Sequence, residues 1–209
     1  MMLCVLGTGA TPVSSTSDET IAPACRFLLY EEQVERQEIA LDLDLAQSES
    51  AAAQEIFTLL DKLWKNDAVE RLLYLAGKHD RDVTRLDVER KQMLLERQDA
   101  LIEHYSLLCE AATSEDSENQ RGAVDEAFLR YRQADCTVRA REIAMAEVEL
   151  EYAREVLVSY RDLREHDVAS RQQIIFAERD FEMAQKRLAQ SKARHEQCRR
   201  EPTPQADPG

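Results

Sequence analysis

The chain has 209 residues and a net charge of -14; 33% of its residues are charged, 6% are aromatic, and it contains only five Gly and five Pro. That profile suits long amphipathic helices enclosing little core. Residues 1 to 120 hold 11 Lys/Arg against 24 Asp/Glu, whereas residues 121 to 209 hold 16 against 17. Such an N-terminal negative field disfavours unaided binding to nucleic acid or to an anionic membrane, where basic surface supplies the affinity.

Residues 1–22 are rich in Thr, Ser, Gly and Pro without periodicity, which predicts disorder. The opening Met-Met-Leu-Cys-Val-Leu run is too short for a secretory apolar region or a membrane span. Residues 23–49 read as a short helical or irregular segment, with Arg26 to Tyr30 compatible with either a strand or a helix start. All five prolines, Pro12, Pro23, Pro202, Pro204 and Pro208, lie outside residues 24–201, and Gly77 and Gly122 are the only glycines in that span.

Residues 50–112 form the first predicted long arm. Ile56, Leu60, Leu63, Val69, Leu72, Leu73 and Ala76 recur every three or four residues, and Val83, Leu86, Leu94, Leu101, Tyr105 and Leu108 continue the stripe. The stripe passes Gly77 in phase, so that glycine reads as a weak point, with a break at Gly77 to Asp80 as the alternative. Residues 113–122 are polar and aperiodic and predict a turn, with Ser117 and Gln120 spaced as a capping box. A short turn between long helices implies an antiparallel return.

Residues 123–200 form the second arm, through Val124, Phe128, Tyr131, Val138, Met145, Tyr152, Val156 and Leu163, then Ile174, Ala177, Phe181, Ala184 and Leu188. One helix spanning about 120 Å fits this pattern, as do two helices broken near 165–170, where Ser170 and Gln173 offer a second capping box. Without Gly or Pro there, the single helix is preferred. Residues 201–209 read as a disordered tail. The predicted fold is all-α: a long antiparallel helical hairpin or a three-helix coiled-coil-like bundle with disordered termini. Arg90, Arg97, Asp135, Glu142 and Glu149 fall on the seam, where long charged side chains can cover apolar neighbours and keep their charges wet.

No catalytic pattern emerges. None of His79, His104, His166 and His195 has Glu three residues before it, and no HExxH occurs. Gly7-Thr8-Gly9 and Gly77-Lys78 lack the rest of a phosphate loop. Lys78 to Asp82 reads as a solvated bend, since successive helical residues diverge. The expectation is a non-enzyme with no cofactor and no metal site. Cys4, Cys25, Cys109, Cys136 and Cys198 show no pairing pattern, which fits a reducing compartment and gives a cytoplasmic expectation, and Cys109, Cys136 and Cys198 read as helix-face thiols.

Two surfaces stand out. Phe57, Leu60 and Trp64 form the richest aromatic-aliphatic patch, fit for bundle core or a partner helix. Lys186, Arg187, Lys192, Arg194, Arg199 and Arg200 form a basic C-terminal surface. It could complement the helix dipole, bind anionic lipid or an acidic partner, or pair with the acidic first arm, which is the simplest reading.

Ala177 to Glu182 resembles the start of the last BAR helix of sorting nexins, with Asp99 to Tyr105 and Glu126 to Arg130 in the order of its first two helices. The resemblance covers residues 95–200. It implies a crescent-shaped dimer peripheral to endosomal membrane, with Lys186, Arg187, Lys192 and Arg194 facing lipid. The leading functional expectation is nonetheless a coiled-coil scaffold or adaptor that binds protein partners, itself included. A cytoskeletal or axonemal component is a further alternative.

Overall fold

The computed structural model describes residues 18–113 and 117–200, so the expected disorder of residues 1–17 and 201–209 lies outside the described residues, whereas residues 18–22, also expected to be disordered, open the first helix. All four described elements are helices: α1 (Asp18–Lys65), α2 (Arg71–Thr113), α3 (Ser117–Glu165) and α4 (Arg171–Arg200). The segment 23–49 is neither short nor irregular. It belongs to α1, a 48-residue helix about 72 Å long at 1.5 Å per residue.

Helix breaks occur where the chain can enter the left-handed region without glycine. Asp67 has φ 53° and Asp167 has φ 57°. At the first turn Asp67 N–H donates to Trp64 O at 3.0 Å and Ala68 N–H to Leu63 O at 2.9 Å. At the second, Asp167 N–H donates to Arg164 O at 3.0 Å and Val168 N–H to Leu163 O at 2.9 Å. Both are Schellman caps in which Asp stands at the usual glycine position, its short polar side chain tolerating the conformation. The predicted first arm is therefore divided at 66–70, and not at Gly77, which lies inside α2. The single 123–200 helix is likewise divided, at 166–170.

The 170–173 capping box forms in both directions: Ser170 N–H donates to Gln173 Oε1 at 2.8 Å, and Gln173 N–H donates to Ser170 Oγ at 3.2 Å. α2 ends at Thr113 and α3 begins at Ser117, so residues 117–122 of the predicted 113–122 turn, Gly122 among them, are helical. The Ser117–Gln120 box lies outside the described side chains.

Packing follows chain order. α1 lies on α2, α2 on α3 and α3 on α4, and no other pair of these helices touches. Four helices thus form an open antiparallel layer with α1 and α4 as its edges, in place of a two-helix hairpin or a closed three-helix bundle. The seams are built from small residues: seven of the thirteen buried apolar side chains are alanines, among them Ala46, Ala53, Ala127 and Ala184. Alanine lets helices approach closely but buries little apolar area per residue.

Polar links then set the register. Arg97 and Asp135, both predicted on the seam, pair with each other across α2 and α3 at 3.4 Å. Lys78–Glu155 at 3.3 Å and Arg141–Glu89 at 2.8 Å lie along the same contact. Between α1 and α2, the fully buried Gln98 donates to the Glu32 carboxylate at 2.6 Å and to its carbonyl at 3.1 Å.

Four cysteines also depart from the expectation of unpaired thiols. Cys25 bonds to Cys109 and Cys136 to Cys198, each pair with Cα atoms 5.8 Å apart. Asp67 lies midway along the 84-residue separation of the first pair, and Asp167 midway along the 62-residue separation of the second. Residues equidistant from a helical turn sit at the same height in an antiparallel pair, so the turns dictate the pairing. Replacing Cys25 or Cys136 with Ser should each cost about 2–4 kcal/mol through the loop freed in the unfolded chain. Urea unfolding followed by circular dichroism checks this, and added reductant should lower the wild type but leave the double variant unmoved.

Candidate interaction surfaces

Phe57, Leu60 and Trp64 stand where α1 meets α2, and their partner is within the chain. Phe57 is buried against Tyr74 (ring centroids 5.7 Å), Trp64 stacks on the same ring at 5.0 Å, and the Arg81 guanidinium lies 4.0 Å over Phe57. Leu60 occupies the space over Gly77, where an added methyl would overlap its Cδ1. Gly77 is thus a seat for Leu60 rather than a bend. Gly77→Ala should stay within about 1 kcal/mol of wild type, since helix propensity gained offsets displacement of one Leu60 methyl. Gly77→Leu should lose about 1–3 kcal/mol by overpacking, read as a lowered denaturation midpoint.

The basic surface on α4 is divided in its roles. All six of its side chains are exposed, but Arg187 pairs with Glu149 at 3.2 Å and Lys192 with Glu147 at 3.3 Å, both on α3, while Arg200 pairs with Glu196 on its own helix. The expected pairing with the acidic first arm, residues 50–112, does not form, because α4 touches α3 and neither α1 nor α2. Lys186, Arg194 and Arg199 make no ion pair among the described residues.

α1 carries a surface that the sequence reading did not isolate. Phe27, Tyr30, Leu41, Leu45, Ile56, Leu59 and Leu63 are exposed, with Leu41 at 70%, Leu59 at 61%, Leu45 at 57% and Ile56 at 52%. At 100° per residue they cluster about 120° round the helix from the seam of Ile39, Leu43, Ala46, Ala53, Phe57 and Leu60. The expected seam positions Ile56 and Leu63 belong to this outer stripe, and Leu73 and Leu108 are also exposed. From Phe27 to Leu63 the stripe runs about 54 Å. Glu31, Glu38, Asp42, Asp44, Glu49 and Glu55 flank it, and none of these carboxylates makes an ion pair among the described residues.

A groove of about 410 Å³ opens between α2, α3 and α4, lined by His79, Tyr152, Tyr160, Phe176 and Arg187 among others. The His79 ring stacks on Tyr152 at 4.1 Å. Burial lowers the His79 pKa against the opposing pull of Glu149, Asp80 and Asp82, and burial raises that of Tyr152. Both groups therefore stay neutral near pH 7. Among the described residues no cluster of three or more His, Cys, Asp and Glu could hold a metal ion, and no helix is long and apolar enough to cross a membrane.

Compared with known proteins, the chain matches no family model, no curated protein and no solved structure.

Because the unfolded chain protonates His79 near its ordinary value of about 6.5 and the folded chain only below that, folding is favoured above this range and loses stability as pH falls through it. The imidazole titration followed by NMR should give a midpoint below 6.5, and His79→Phe should flatten the acid limb of the stability profile.

Proposed function

We propose that this chain is a non-enzymatic helical scaffold that works through protein–protein contact, with the outer stripe of α1 as its main docking surface and self-association among its contacts. One observation carries the reading: alanines fill the seams while large apolar side chains line the outside of α1. Water-exposed stripes of this length are unfavourable in a monomer and mark interaction surfaces. The stripe's spacings of three, four and eleven residues keep it on one helical face, which suits a helical partner.

Two disulfides favour a setting in which such bonds persist, and they remove the support that unpaired thiols gave to a cytoplasmic location. A BAR-like membrane role draws only on Lys186, Arg194 and Arg199, since carboxylates of α3 neutralise Arg187 and Lys192. A cytoskeletal or axonemal role would use the same α1 surface.

Sedimentation velocity tests the scaffold reading. The wild type should sediment above its 24.0 kDa chain mass at micromolar concentration, whereas Leu45→Lys/Ile56→Lys/Leu59→Lys should remain a monomer with unchanged helicity. A wild type that stays monomeric and a variant indistinguishable from it would defeat the reading. Co-sedimentation with anionic vesicles that depends on Lys186 and Arg194 would support the membrane role instead.

A further inference from the structure

Resting on that self-associating reading, we infer that copies of this chain join head to tail, the outer face of α4 in one copy packing antiparallel on the outer stripe of α1 in the next. The open layer supplies the geometry. Its edges are α1 and α4, which run in opposite directions, so an incoming α1 continues the alternation already present at α1–α2, α2–α3 and α3–α4.

Charge selects this occupant over a mirror pairing of two α1 helices. α1 carries eleven acidic and four basic residues, whereas α4 carries eight basic and four acidic. Two α1 stripes face to face would bring their carboxylate borders together, a repulsive arrangement. Against α4, the same carboxylates meet Lys186, Arg194 and Arg199, cations left unpaired among the described residues.

The two matching turns fix a register. The α3–α4 hairpin repeats the α1–α2 hairpin 100 residues later, as Asp67 and Asp167 mark. The contact of α2 on α3 then has its counterpart in α4 on the next copy's α1. Shifting the Arg97–Asp135 register by that interval sets Arg194 opposite Glu38 and Phe176 opposite Ile56. Ile175, Phe176 and Met183, all exposed on α4, supply the apolar part of the contact. Such a heterologous contact does not close on itself by a two-fold axis and adds further copies, as a ring or an open row.

Complementation of two edge variants decides the geometry. Leu45→Lys/Ile56→Lys/Leu59→Lys disables the α1 edge, and Phe176→Glu/Lys186→Glu/Arg194→Glu disables the α4 edge. Each alone should be monomeric with wild-type helicity, and their mixture should give a one-to-one dimer of twice the 24.0 kDa mass. Wild type should grow beyond the dimer with concentration and shrink with added salt. If the α4 variant associates as the wild type does, or the mixture stays monomeric, head-to-tail joining is overturned; in the first case self-association through α1 survives. A milder pair guards against misfolding: Arg194→Glu should weaken association about fivefold and Glu38→Arg in the same chain should restore it. Lack of restoration would also overturn the register.

Discussion

Two aspartates in the left-handed region set the rest of the structure. Asp67 and Asp167 stand in turns that contain neither glycine nor proline, and each turn reverses the chain within five residues. Once the turn is placed, the height of every residue in one helix determines which residue it meets in the next. The Gln98–Glu32 link, the Arg187–Glu149 and Lys192–Glu147 pairs and both disulfides all obey that rule. A change of turn position by one residue would rotate a helix by about 100° and scatter these contacts together.

The layer solves an energetic problem in an uneven way. Alanine seams draw the backbones close and leave little apolar area between them, so covalent links and buried polar contacts take a larger share in holding the order. Meanwhile α1 is apolar on two separate faces, one committed to α2 and one turned outward. The same helix thus serves the fold and the surface, which is why a single stretch reads as core in sequence and yet lies largely exposed.

Helical content, the reversal near 113–122 and the Ser170–Gln173 capping box were legible because each has a local chemical signature. The Asp67 turn was not, since it carries neither Gly nor Pro and Asn66-Asp67 uses tolerance of the left-handed region instead. The cysteine pairs were hidden for the same reason: their symmetry shows only when the turn between them is known. Phe57, Leu60 and Trp64 stood out by their size, but nothing local told that Tyr74, Gly77 and Arg81 would cover them. The basic run on α4 was visible as composition, whereas its neighbour depended on helix order. The outer stripe of α1 was missed at its start, because residues 23–49 carry two interleaved apolar faces separated by acids and the two patterns blur.

The positions of the disulfides give the chain an unusual response to tension. Each bond closes a hairpin at the end opposite its turn, so residues 26–108 and 137–197 lie within covalent rings. Force applied through the two termini passes from Cys25 directly to Cys109 and from Cys136 directly to Cys198, bypassing both rings. Only the stretch from Cys109 to Cys136, about 27 residues, can pay out between them, a gain bounded near 95 Å when fully extended. With its bonds intact the molecule is a short-travel tether, and with them reduced the bypassed helices are free to lengthen it several-fold.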